Sequence, residues 1–294
     1  MTGPDLATRY LGLDLPHPVM ASASPLTASV DGILRLADAG AAAVVMASIY
    51  EEQIVAAELA EMAILESGGG AHPEASGGFF AATVANRSVL DERLETLRRG
   101  AERAGIPVIA SLNGVSPDGW TDFARRLEQA GAAAIELNIF RIPADLSEDG
   151  GEVDRECVDA LRAVKGAVRI PVSVKLSPYH SSTGHFALQL TRAGADGLAL
   201  FNRFYEPGID LATLEPKLDF DLSTPADTRL GLAWISLLRG QVGGASLAAT
   251  SGVWDGEDVV RYLLAGADVV MSASALLRHG PAHVGTLVRG LRAW

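Results

Sequence analysis

The run Ala193-Gly194-Ala195-Asp196-Gly197-Leu198-Ala199-Leu200-Phe201 decides the fold. A helical stripe ends at Ala193, and a short apolar run begins just after Ala195. The glycine between them supplies the left-handed cap that stops a helix, and the flanking alanines let helix and sheet approach closely. The same joint recurs at Ala39-Gly40-Ala41, Ala130-Gly131-Ala132 and Ala265-Gly266-Ala267. Working outward from these joints predicts eight strands, at 19–23, 43–48, 108–112, 134–137, 172–176, 197–201, 246–249 and 269–271. The segments between them carry apolar stripes at helical spacing, such as Trp120, Phe123, Ala124 and Leu127, or Val153, Cys157, Leu161 and Val164. Strands alternating with helices argue for a parallel sheet with crossovers.

Eight such units in 294 residues fit a (βα)8 TIM barrel of the α/β class, typically ~250 residues long. A doubly wound sheet is the alternative, but no Gly-x-Gly-x-x-Gly follows the first strand. Composition does not break along the chain, so residues 1–294 read as one domain. Two long insertions, 66–82 after strand two and 202–226 after strand six, are candidate lids.

The 24 basic and 36 acidic side chains leave a formal charge of −12, and 48% of residues are hydrophobic. Without a basic face, nucleic acid is not an expected partner. The single cysteine, Cys157, forms no internal disulfide and fits a reducing compartment. Residues 1–10 lack the apolar core of a signal peptide, and the longest apolar stretch, near 41–49, falls short of the ~18 residues of a membrane helix. A cytoplasmic protein with a small-molecule substrate and no membrane partner is expected.

In a barrel of this kind chemistry sits just beyond the C-terminal ends of the strands. Those positions hold Ser22 and Ser24, then 48–53, Asn113, 138–141, 175–180, 202–205, Thr250-Ser251-Gly252 and Ser272-Ala273-Ser274. Small residues after strands seven and eight expose backbone N–H groups, the usual grip for a phosphate. They also make ordinary helix caps. Lys175, one of three lysines, lies in a β-branched strand, where a buried ammonium needs an anion or a chemical task. Asn113 and Asn138 stand at equivalent places on adjacent strands and offer amides to a planar ring. His180, five residues beyond Lys175, is a candidate acid or base; His17, His279 and His283 read as capping or solvent residues. No metal-binding spacing, Walker loop or nucleophile elbow occurs.

Glu136-Leu137-Asn138, Val174-Lys175-Leu176-Ser177-Pro178-Tyr179, Thr250-Ser251-Gly252-Val253 and Ala275-Leu276-Leu277-Arg278-His279-Gly280-Pro281 resemble the dihydroorotate dehydrogenase family. Ser111-Leu112-Asn113-Gly114 and Leu200-Phe201-Asn202-Arg203-Phe204-Tyr205 look like its dihydroorotate dehydrogenase-like branch. The resemblance implies an FMN-binding (βα)8 flavoprotein, usually a homodimer. By position, Ser22 and Ala23 lie near the flavin, and Asn138 and Lys175 hold its ring. Thr250, Ser251 and Gly252 form one phosphate loop, and Ala273 and Ser274 the other. The chain departs from the family pattern after strand four. Leu137-Asn138-Ile139-Phe140-Arg141-Ile142-Pro143 lacks the Cys or Ser base, and the strand-two lysine falls near Met46. The glycine pair after strand six gives way near Thr224-Pro225-Ala226.

The expected activity is therefore FMN-dependent oxidoreduction of a small polar metabolite other than dihydroorotate. Lys175, His180 and Tyr205 are the catalytic candidates, with Tyr179 a further proton donor or acceptor, while Arg141 and Asn202 contact substrate. A Schiff-base lyase or aldolase built on Lys175, and a flavin-binding subunit without activity, are the competing readings.

Overall fold

A computed structural model describes residues 4–54, 56, 88–113, 117–139, 143–203, 208–217 and 221–294. The expected insertion at 66–82, together with His72, Arg141 and Tyr205, lies outside the described residues. So does part of the insertion at 202–226.

The barrel strands are β3 (Val19–Ala21), β4 (Val44–Val45), β6 (Val108–Asn113), β7 (Ala134–Asn138), β8 (Val172–Leu176), β9 (Gly197–Leu200), β12 (Ser246–Ala249) and β13 (Val269–Ser272). All pair in parallel, in the order β4-β3-β13-β12-β9-β8-β7-β6, and a β4–β6 pairing closes the ring. β5 (Ile49–Tyr50) extends the second strand alongside the end of β6, and β10 (Gly208–Ile209) and β11 (Pro216–Lys217) pair antiparallel in the excursion after β9. Each of the eight expected strands is present, so the (βα)8 reading holds.

Helices α1 (Val30–Asp38), α2 (Val89–Arg103), α3 (Pro117–Gln129), α4 (Gly150–Ala167) and α5 (Thr183–Arg192) cross over the first part of the ring. α6 (Thr228–Leu238), α7 (Gly256–Ala265), α8 (Ser274–His279) and α9 (His283–Ala293) complete it. Their starts follow side-chain chemistry: Asp149 and Asp255 accept from first-turn N–H groups of α4 and α7, each in a reciprocal capping box. Their ends follow the glycine joints. Gly40, Gly131, Gly194 and Gly266 all take positive φ, between +89° and +112°, a conformation that other residues enter at a penalty of ~1–2 kcal/mol.

Side chains alternate between two buried layers, as strand geometry requires. Val19, Val44, Ala110, Ile135, Val174 and Leu198 face the helices. Met20, Val45, Ile109, Ala134, Ala199 and Met271 fill the inside.

Two features escaped the sequence reading. β1 (Thr8–Tyr10) and β2 (Leu13–Leu15) form an antiparallel hairpin that plugs the N-terminal end of the barrel with Tyr10, Leu11 and Leu15. Leu11 packs so closely that a Cβ on Gly197 would lie 2.6 Å from its Cδ2. His17 is buried and not solvent-facing; its Nε2 meets the Gly40 carbonyl at 2.9 Å while its Nδ1 accepts from the Val19 N–H. Burial lowers its pKa.

Candidate active site

The same alternation that fills the barrel decides which side chains rise into its C-terminal mouth. Glu136 and Asn138 share the inward face of β7, Ser173 and Lys175 that of β8, and Ser111 and Asn113 that of β6. Above them opens a cavity of about 720 Å³, within the usual range of small-molecule sites. Ser22, Asn138, Lys175, Asn202, Ser251 and Ser274 are among the residues on its wall.

One end of the cavity is made of backbone and hydroxyls. Ser251 and Gly252 after β12 have φ of +73° and +70°. A Cβ on Gly252 would lie 2.7 Å from both the Thr228 nitrogen and its Cγ2, so only glycine fits. The fully buried Tyr262 hydroxyl lies 3.0 Å from the carbonyls of Thr250 and Ser251, and burial raises its pKa. With those carbonyls turned toward α7, the N–H groups of the same planar peptide units point the opposite way. The Gly252 N–H donates to Ser223 Oγ at 3.2 Å, and the Ser223 N–H and O–H donate to Ser274 Oγ at 3.0 and 2.8 Å. Ser272 Oγ ties β13 to the Val253 carbonyl. Ser223 thus clasps the two loops together, and α8 begins there without a side-chain cap on its first-turn amides. The Ser274 O–H and the uncapped amides of α8 are the donors this arrangement leaves for a phosphate.

The floor is charged. Lys175 Nζ lies 3.4 Å from Glu136 Oε1 and 3.4 Å from Ser22 Oγ, and both charged residues are buried, Lys175 at 8% exposure and Glu136 at 0%. From the floor a chain of polar side chains crosses to the far wall. Asn202 Nδ2 donates to Asn138 Oδ1, Asn138 Nδ2 to Ser48 Oγ at 3.3 Å, and Ser48 shares a 2.8 Å hydrogen bond with Ser111. Arg93 and Arg203 stand at the rim.

The structure brings together Ser22, Ala23, Asn138, Lys175, Asn202, Thr250, Ser251, Gly252, Ala273 and Ser274, all on the cavity wall. Thr250 lines the cavity without a free polar group, because its hydroxyl meets the Phe201 carbonyl, its N–H the Leu200 carbonyl and its carbonyl the Tyr262 hydroxyl. Other expectations are redirected. His180 is turned away; its Nδ1 bonds Asp154 Oδ1 of α4 at 2.9 Å and its ring stacks on Phe186 of α5 at 4.1 Å. Tyr179 is 63% exposed, and Asn113 is buried at the end of β6 without reaching the wall. Met46 packs in the outer layer against the helices, so the cavity neighbour at the end of strand two is Ala47.

Sequence reasoning placed Ser48 among the strand-end positions without giving it a role, and it missed Glu136, Ser223 and Tyr262. Glu136 carried a signal, an acid in the middle of a buried strand, as telling as the lysine opposite. Among the described residues no group of His, Cys, Asp and Glu side chains is disposed to hold a metal, and no helix is long and apolar enough to cross a membrane.

The family model described as dihydroorotate dehydrogenase matches residues 5–294. The chain is 31% identical over 269 residues to a dihydroorotate dehydrogenase B (NAD(+)) catalytic subunit of Methanocella arvoryzae, covering 90% of this chain and 85% of that one. The subunit of the same name from Methanothermobacter thermautotrophicus is 28% identical over 98% of this chain and 93% of its own. That of Endomicrobium trichonymphae is 30% identical, over 65% of this chain and 62% of its own.

Proposed function

Because the chain belongs to the dihydroorotate dehydrogenase family, we propose that it is an FMN-dependent oxidoreductase acting on a small polar metabolite. We read residues 1–294 as one FMN-binding barrel domain, working as a homodimer as the family suggests. The observation that carries the cofactor assignment is the clasp of Gly252, Ser223 and Ser274, set across one cavity from Lys175. Its donors suit a phosphate, the space a Cβ would fill at Gly252 is taken, and the amide and ammonium of Asn138 and Lys175 suit the edge of a heteroaromatic ring.

In this assignment Ser251, Gly252, Ala273 and Ser274 hold the phosphate, while Ser22, Ala23, Asn138 and Lys175 line the ring. FMN, when bound, supplies the hydride acceptor. Lys175 places positive charge where the reduced ring gains electron density. Asn202 orients substrate through an amide already aligned by Asn138. Arg141 remains the proposed contact for a substrate carboxylate. With His180 committed to Asp154 and Tyr179 in solvent, the proton that accompanies hydride transfer is assigned to Tyr205. Ile139-Phe140-Arg141 stands where relatives by the family pattern carry a Cys or Ser base, which supports a substrate other than dihydroorotate. The Glu136 contact disfavours the Schiff-base alternative, because Lys175 Nζ is turned to a carboxylate and to Ser22 in the floor and would have to leave both to attack a carbonyl.

Acid release from the purified protein tests the assignment. Flavin absorbance with FMN released at one per chain is expected, and Tyr205→Phe should slow reduction by the true substrate without loss of colour. A colourless protein that takes up no added FMN overturns the reading.

A further inference from the structure

Glu136 is an acid in the enclosed interior of the barrel. It is 0% exposed, and its Oε1 faces Lys175 Nζ at 3.4 Å. Its Oε2 meets no hydrogen-bond donor among the described residues, and the Tyr10 hydroxyl rises toward Glu136 and Ser173 from the hairpin plug beneath. Burial and then the charge of Glu136 raise the Tyr10 pKa, with Asp268 adding to this and Ser173 opposing it, so the phenol does not share the charge. Lys175 on β8 is the cation that balances this carboxylate. Stability alone is a poor reason for such a pair, since apolar residues of similar volume often do as well in its place.

We propose that Glu136 is a positioning residue that holds the Lys175 ammonium against Ser22 and, by partly cancelling its charge, limits how strongly the site favours reduced over oxidised flavin; this rests on the FMN reading above. A cation alone at the cavity floor would stabilise the electron-rich reduced ring in full. A carboxylate one layer deeper leaves the floor with the field of a dipole, strong at contact and weak beyond it. The lysine is kept in place, and the potential is kept low.

Four variants test this: Glu136→Gln, Glu136→Asp, Lys175→Met and the double variant Glu136→Gln/Lys175→Met. In the FMN-loaded protein at pH 6.5, Glu136→Gln should raise the ratio of reduced to oxidised FMN affinity about tenfold, moving the two-electron midpoint up by about 30 mV. Glu136→Asp, which keeps the charge, should stay within about threefold of the parent. A midpoint that is unmoved or lower in Glu136→Gln overturns the proposal. Should that variant fail to fold, Glu136→Met carries the same expectation.

A second arm needs no flavin. Lys175→Met should lower the urea midpoint of the apoprotein, and adding Glu136→Gln should recover at least half of the loss, because the carboxylate is no longer stranded. Simple addition of the two losses overturns the pairing. Wild-type protein that binds no FMN overturns the cofactor reading and the tuning with it. FMN bound with an unmoved potential overturns the tuning alone.

Discussion

The two ends of the cavity are built from different materials. The clasp end, at β12 and β13, is made of backbone N–H groups, serine hydroxyls and one glycine that nothing else can replace, all locked by Ser223 and Tyr262. The opposite end, at β4 to β9, is a relay of amides and hydroxyls through Asn202, Asn138, Ser48 and Ser111, whose side chains can be exchanged without moving backbone. A phosphate grip needs a fixed peptide geometry, whereas a substrate pocket needs only the right polar groups at the right distance. On the proposed reading the clasp is therefore the part that resists change, and the relay, which runs from the ring-lining Asn138 out to Asn202, is where substrate preference can vary.

The sharpest way to break this contrast is Gly252→Ala. The new Cβ falls 2.7 Å from the Thr228 nitrogen at a φ of +70°. Left-handed strain of ~1–2 kcal/mol combines with overpacking of ~1–3 kcal/mol, so urea unfolding should show a loss of about 3 kcal/mol. FMN affinity should fall at least ~100-fold, equivalent to ~2.7 kcal/mol. A titration within threefold of the parent would show that the cradle is not the phosphate site.

Ser223→Ala comes next. It leaves the Gly252 N–H without its partner, while Ser274 Oγ keeps only the Ser223 backbone N–H, and an unsatisfied buried group costs roughly 1–3 kcal/mol, less where water enters. FMN binding about tenfold weaker, or ~1.4 kcal/mol, is expected in the same titration, with the substrate end undisturbed.

Asn202→Ala sharpens the contrast from the other side. Its amide holds Asn138 but touches neither loop of the clasp. FMN affinity should stay within about twofold, with ~1 kcal/mol lost in urea unfolding, and the effect should appear in the KM for substrate. If Asn202→Ala released FMN as readily as Ser223→Ala does, the two ends would be one unit.

Much of the clasp was legible in the sequence, and the reason is physical. Ser251-Gly252 and Ala273-Ser274 follow strands directly, so finding the strands finds the loops, and the four glycine joints locate the strands. Ser223 was not legible, because it reaches the clasp only by the return of the long excursion after β9, a tertiary event without local pattern. Tyr262 lies on an apolar helical stripe and looks like core until its hydroxyl is seen under the Ser251 carbonyl. The β1–β2 hairpin has strands of three residues, too short for periodicity to register. Met46 shows a subtler limit: a shift of one residue along a strand exchanges the helix-facing layer for the cavity, so the position that matters is Ala47.

His180 gives the smallest effect and the cleanest separation of sequence order from spatial order. Five residues after Lys175 it belongs to the same loop, and on that ground it is a natural acid or base. The fold spends it elsewhere, with its ring stacked on Phe186 and bonded to Asp154, bridging the start of α5 to α4 on the outside of the barrel. His180→Ala should therefore lower stability by ~1 kcal/mol, the scale of one hydrogen bond, while FMN affinity and the rate of flavin reduction stay within about twofold. Asp154→Ala should reproduce the stability loss, and the double variant should lose less than the sum, because both changes remove one contact. A drop in reduction rate of tenfold or more in His180→Ala, with FMN still bound, would mean that the loop turns inward during turnover, and would return His180 to the chemistry in place of Tyr205.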